Sequence, residues 1–316
     1  NISYTGSRSI IHRVIQIDFS SISAFLTGFS TYPQPLRLRL RIFTIFFLYK
    51  QTHQTVRKGE LSTIMKLVFD KADLVKSVGI AMKAVSGKTT MPILECILID
   101  ASSNVIKFTS NDMELGIETI VTGMILERGI VALDAKIFSE IVRKLPDNQV
   151  TIETDENLVT TITCEKAKFN IPGQSGEDFS YLPILETSDC VSISQFTLKE
   201  LIRQTIFSIA ANENNKLMTG ELFEIKDNTL RVVSLDGHRI AIRRIELKDS
   251  YPDRKVVVPG KTLNEISKIL SGEMDDQIDI YFSENHIMFK FDDTTVVSRL
   301  IDGEYFRIDQ MLSSDY

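Results

Sequence analysis

The stretch SLDGHRIAIRRI, residues 234–245, sets Asp236, His238 and Arg239 close together, with Arg243 and Arg244 just beyond. An acid beside a histidine is the raw material of proton transfer, the carboxylate orienting an imidazole that moves the proton. A hydrolase built on Asp236 and His238 would also need a nucleophile, and no serine or cysteine is spaced to serve as one. On a strand, residues i and i+2 point the same way without touching closely, which weakens the pair further. The alternatives are a nucleic-acid contact or the edge of a pocket for a protein partner. Elsewhere the pairs Asp112/Glu114 and Asp292/Asp293 offer carboxylates but no histidine joins them, and His286 reads as a turn residue. No phosphate-cradling glycine loop is present, SGK at 86–88 being too short, so neither a cofactor nor a metal is expected.

The elements that must position this stretch come in two copies. FDKADLVKSVGIAMKAVSGK begins at Phe69 and FTLKELIRQTIFSIAANENN at Phe196; AKIFSEIVRKL (135–145) answers GKTLNEISKIL (260–270), and GEDF (176–179) answers GEYF (303–306). Four matches in order at a nearly constant offset divide the chain from Met65 onward into units 65–190 and 191–316. Each unit opens with an amphipathic helix, through Val85 in the first and Ile209 in the second. Alternating strands follow, then a second helix, then more strands. Each is therefore an α+β unit whose two helices cover one face of an antiparallel sheet.

Charge is distributed unevenly. Residues 1–64 hold eight Lys/Arg against Asp18 and Glu60, a net of +6 in a chain of net −6, which leaves −12 for the rest. Each of the four helical stretches (70–84, 134–145, 197–210 and 260–270) nonetheless nets +1. Mildly positive helices on an otherwise acidic molecule offer a polyanion one place and repel it elsewhere. The leader contains no methionine, and Lys58-Gly59-Glu60 back-translates to a purine-rich ribosome-binding site shortly before Met65. It reads as upstream sequence without fixed structure rather than as a transit peptide. IFTIFFLY (42–49) is too short to span a bilayer. Cys96, Cys164 and Cys190 are odd in number and lack C-x-x-C spacing, so they read as reduced thiols.

MKLVFDKADLVKSV…AVSGKTTMPILECILI, the FSEIVRKLP helix, SLDGHRIAIRR and the DGEYF loop together resemble the bacterial replicative sliding clamp, the beta subunit of DNA polymerase III, from Met65 to Tyr316. The resemblance implies tandem DNA-clamp repeats, three per chain, in a ring of two chains with helices lining the hole. It implies a processivity factor without chemistry of its own, threaded by double-stranded DNA in the bacterial cytoplasm, on the nucleoid. Its third repeat has no counterpart before Tyr316, so the chain reads as truncated after the second, with its own dimerisation in doubt.

The match carries a DNA role to Lys88 and, in the second copy, to Asn212, Asn215 and Lys216. The helix cations Lys76, Lys83, Arg143, Lys199, Arg203 and Lys268 join them. It also implies a hydrophobic cleft that captures short peptides of the polymerase III alpha subunit, the clamp loader, other polymerases and repair proteins. That cleft is carried over to Met218, Leu235, Gly237, His238, Arg239 and Ile240. Gly237 is read there as permitting close approach, and Arg239 as bonding a peptide carbonyl. Where the family commonly has Pro-Asp after DGEY this chain has Phe306-Arg307, so Phe306 and Met311 are carried over only as rim residues. A protein-interaction scaffold without DNA is the rival reading.

Overall fold

The computed structural model describes residues 65–87, 89–185, 190–211 and 215–312; the basic leader lies outside them. Strand β1 (Met65–Asp70) runs straight into helix α1 (Lys71–Ala81), which tightens into a 3₁₀ turn over Met82–Ala84. Strands β2 (Cys96–Asp100), β3 (Ile106–Asn111), β4 (Leu115–Val121), β5 (Met124–Glu127) and β6 (Ile130–Asp134) follow. Helix α2 (Ala135–Lys144) then precedes β7 (Gln149–Thr154), β8 (Val159–Cys164) and β9 (Ala167–Ser175). The order recurs as β10 (Cys190–Ser194), α3 (Gln195–Thr205), β11 (Gly220–Leu235), β12 (Ile240–Pro259) and α4 (Gly260–Ile269). It continues through β13 (Gln277–Phe282), β14 (His286–Phe291) and β15 (Thr294–Arg299) to the single-turn α5 (Ile308–Met311).

Local chemistry sets these boundaries. Asp134 and Ser194 cap α2 and α3 by accepting from the amides of Ile137 and Thr197 at 2.8 and 3.1 Å. The first helix of each copy stops earlier than its apolar period suggests. Val85 and Ile209 are extended residues that close a 3₁₀ turn after the helix. GELFEIK and TLRVVSL, which alternation separates into two strands, form one strand of 16 residues with register shifts on either side of Asp227.

Among the described residues thirteen strands make one antiparallel sheet, and β11 and β12 form a separate long hairpin. The two copies join edge to edge: β15 pairs with β4, from Thr294 opposite Thr119 to Ser298 opposite Leu115. The ion pairs Lys83–Glu265 (4.0 Å) and Lys261–Asp112 cross the same junction. One core gathers Leu74, Val78, Phe138 and Val142 of α1 and α2 on the first copy's strands, where Phe108 meets Phe69 and Phe138 edge to face. The other gathers Leu198, Leu201, Leu263 and Ile266 of α3 and α4 on the second copy's strands, together with Leu115 and Ile117 of β4.

The repetition extends to single atoms. Ser110 Oγ donates to the Ala81 carbonyl and Ser234 Oγ to the Thr205 carbonyl, both at 2.5 Å, tying each strand to the end of its helix. Three residues past each serine the backbone turns left-handed, at Met113 (φ 75°) and Gly237 (φ 89°). All three cysteines are free thiols; burial, reinforced by Asp134 and Glu95, pushes Cys96 up to about 11.

Candidate functional site

Asp236, Gly237, His238 and Arg239 form the tight turn between β11 and β12 rather than lying on a strand. Asp236 Oδ1 accepts from the backbone amides of His238 (3.0 Å) and Arg239 (3.1 Å), and its Oδ2 accepts from Arg239 Nε at 2.9 Å. The His238 amide above all, with the amide and guanidinium of Arg239, holds this carboxyl below the usual range. It is a charged turn-maker turned toward the backbone, not a base aimed at an imidazole. Asp112 does the same in the first copy, accepting from Glu114 N at 3.0 Å and Leu115 N at 2.7 Å. Asp292, of the second acidic pair, accepts from Gln195 Nε2 at 3.1 Å.

Gly237 needs its glycine for a reason other than the one its motif suggested. A Cβ there would meet nothing within 4 Å, so close approach is not the constraint; the positive φ is. The turn displays His238 and Arg239 to solvent, and the Arg239 guanidinium lies 6.0 Å from the ring centre of Phe207, itself 58% exposed.

The hairpin is covered on both faces. Phe223, Ile225, Leu230 and Val232 point to the helices, while Leu222, Val233, Leu235 and Val257 point the other way, into a cluster closed by Tyr305 and Ile308. Met218, Ile240 and Phe306 pack against that second cluster, half-buried, with Leu235 as its 1%-exposed floor. The structure thus brings together four of the residues carried over as a cleft and sets the His238–Arg239 turn at one end. Asn215 is committed to structure: its Oδ1 accepts from Leu217 N (3.1 Å) and caps the 3₁₀ turn that carries Lys216 and Met218. Met311 is exposed on α5.

The helices stand in the order α2, α1, α4, α3. Within each copy the two helices pack together, and Lys83 reaches Glu265 across the junction. Their cations are less free than the sequence suggests. Lys268 pairs with Glu265 at 2.6 Å, Arg203 with Glu200 at 2.6 Å, and Lys199 Nζ donates to the Leu270 carbonyl at 2.9 Å. Arg143, Arg203 and Lys268 sit in last turns, where the helix dipole favours positive charge. Lys76 and Arg143 are exposed and carry no ion pair among the described residues. Lys88 and Asn212 lie outside the described residues.

Sequence reasoning missed Phe207, Tyr305, Ile308 and the outward-facing Leu222, Val233 and Val257. The signal for the last three was present: apolar residues run consecutively in LF (222–223), VV (232–233) and VVV (256–258), the mark of a strand buried on both faces. It missed Glu221 as well. This side chain is fully buried on the inner face of β11, and neither carboxyl oxygen has a hydrogen-bond donor. The neighbouring Thr205 spends its one hydroxyl proton on the Leu201 carbonyl at 2.7 Å. Burial pushes Glu221 up to about 8.

Comparison with known proteins fits this arrangement. Residues 65–183 match the N-terminal domain, and 192–306 the central domain, of the DNA polymerase III beta subunit. The beta sliding clamp of Bacillus subtilis is 38% identical over 251 residues, covering 76% of this chain and 66% of that one. The crystal structure of a putative DNA polymerase III beta subunit from Eubacterium rectale is 70% identical, with a TM-score of 0.78 over 80% of this chain and 69% of the other. The sliding clamp of Bartonella birtlesii, solved bound to griselimycin, is 28% identical, with a TM-score of 0.74 over 80% of this chain and 69% of that one. The chain spans about two thirds of the length of these relatives. With its paired helices, joined sheets and double-faced hairpin, it belongs to the DNA polymerase III beta subunit family, the bacterial sliding clamps, which are non-catalytic processivity subunits of the replicative polymerase.

Proposed function

We propose that residues 65–190 and 191–316 act as two clamp repeats whose helices face duplex DNA and whose outer apolar cluster takes partner proteins. The observation that carries the first part is the α2–α1–α4–α3 row, positive on every helix in a region of net −12. Contacts from such a row reach phosphates and read no sequence, as a sliding protein requires. Lys76 and Arg143, unpaired among the described residues, are the foremost contacts, and Lys83, Lys199, Arg203, Lys216 and Lys268 add to the field; Lys88, Asn212 and Asn215 join them by family likeness alone.

The junction itself supports a ring. β15 of the second copy pairs with β4 of the first, a head-to-tail contact. The equivalent edges at either end, 167–171 of β9 and 240–243 of β12, pair with nothing further among the described residues. A heterologous contact of this kind repeats and makes a ring where its rotation closes. A further repeat or a second copy of the chain is the proposed occupant of those edges.

The outer cluster around Met218, Leu235, Ile240 and Phe306 is the proposed docking cleft for the polymerase III alpha subunit, the clamp loader, other polymerases and repair proteins, and for griselimycin. The site of action is the bacterial cytoplasm, on the nucleoid. Anisotropy of a labelled duplex over a range of salt tests the DNA face. Lys76→Glu with Arg143→Glu is expected to reduce the slope of log K against log salt by about 2. An unchanged slope would remove the helix row from the DNA path.

A further inference from the structure

The segment that closes the outer cluster is held at one end by charge. Beyond Gly303, whose φ of 130° turns the chain, Tyr305 and Ile308 are buried against the hairpin, while Glu304, Arg307, Asp309 and Gln310 are exposed. Between segment and hairpin lies an open cavity of about 530 Å³, floored by Leu222, Val257 and Ile301. Arg231 spans it. From the outer face of β11 its Nε donates to Glu224 Oε2 at 2.5 Å and its Nη1 to Asp309 Oδ1 of α5 at 2.7 Å. Lys255 holds the other oxygen of Glu224 at 2.8 Å. The side chains of Arg231 and Glu224 are each 13% exposed, and that of Asp309 is 75% exposed.

The two halves of this chain of charges therefore differ in kind. Glu224–Arg231–Lys255 is anchored within one hairpin, whereas Asp309, among the described residues, is the member contributed by the 304–312 side of the cavity. α5 is a single turn whose backbone hydrogen bonds, from Ile308 to Phe306, Gln310 to Arg307 and Leu312 to Ile308, stay within 306–312, so they do not tie it to the hairpin. Space beneath it, a left-handed residue before it and an ion pair at its far side together describe a wall held on the hairpin by Tyr305 and Ile308 at one side and by that pair at the other.

We propose that Arg231 is a positioning residue for the partner cleft: through Asp309 it fixes the segment 304–312, and with it Phe306 and Ile308, against Met218 and Leu235. This rests on the reading of the outer cluster as the cleft. A wall already in place spares the occupant the cost of ordering it, so loosening the pair weakens binding without unfolding the hairpin. Because Asp309 is exposed, the effect is screened by salt.

Calorimetry of griselimycin binding to the full chain tests this with wild type, Asp309→Asn, Asp309→Glu and Met218→Ser, at roughly 0.05 and 0.5 M KCl. Asp309→Asn is expected to bind about fivefold more weakly at low salt and within about twofold of wild type at high salt. Asp309→Glu restores the affinity, the thermal midpoint stays put, and amide exchange quickens only across 304–312. If Met218→Ser weakens binding while Asp309→Asn matches wild type at both salt concentrations, the positioning role is refuted and the cleft stands. If wild type binds no griselimycin, or Met218→Ser leaves binding unchanged, the cleft reading falls and the positioning role with it.

Discussion

Replacing Glu221 by glutamine keeps the shape of a fully buried side chain and removes its ability to ionise. In the folded chain the carboxyl lies under the end of α3 without a donor, and burial moves it from 4.5 up to about 8. The unfolded chain releases the proton near 4.5, so between pH 4.5 and 8 the folded state holds a proton that the unfolded state has lost. Stability therefore falls as pH rises through that window, and is flat below and above it. At about 1.4 kcal/mol per unit, the 2.5 units between 4.5 and pH 7 amount to about 3 kcal/mol, reaching about 5 kcal/mol at pH 8. Glu221→Gln cancels this dependence. Whatever the amide itself costs in the same pocket is the same at every pH, so the quantity to read is the change in the difference between the two proteins. Urea unfolding at pH 4.5, 7 and 8.5 measures it. The variant should gain about 3 kcal/mol on wild type between the first two values and a further 1–2 kcal/mol by the last. A difference constant with pH would mean that water or a donor reaches the carboxyl and that the site is not closed.

Two other perturbations follow from the repeat. Gly237→Ala forces a Cβ into φ 89° and should cost about 1 kcal/mol, whereas Met113→Gly at the equivalent turn should gain up to about 1 kcal/mol; thermal unfolding reads both, and equal signs would refute the equivalence. Ser110→Ala and Ser234→Ala each remove the buried hydrogen bond to a helix-end carbonyl, of Ala81 and Thr205, and should cost about 1 kcal/mol apiece by urea titration, with similar losses in the two copies.

Much of the architecture was legible because it depends on local pattern. Capping residues, the 3.6-residue and two-residue periods and a repeat near 125 residues are properties of neighbouring positions, and they yielded α+β units with the second helix of each copy within a residue of α2 and α4. Asp112 and Asp236 stand at equivalent places in the two copies, and both carboxylates make turns. What the pattern lacked was distance. Alternation did not say that 222–235 is one bent strand with two covered faces, so the residues opposite the helices, Tyr305 and Ile308 among them, stayed invisible until the hairpin and the 300–312 segment were seen to meet.

The sequence by itself determined the residue types, the repeat and the sign of charge on each helix, since these need only the order of residues along the chain. Only the tertiary structure decided which charges are spent within the molecule. Lys83 and Lys268 converge on one carboxylate, Glu265, and Arg231 bridges strands to a helix 78 positions away. Ion pairing and burial depend on what long-range packing sets within a few ångströms, and a periodic pattern carries no record of that.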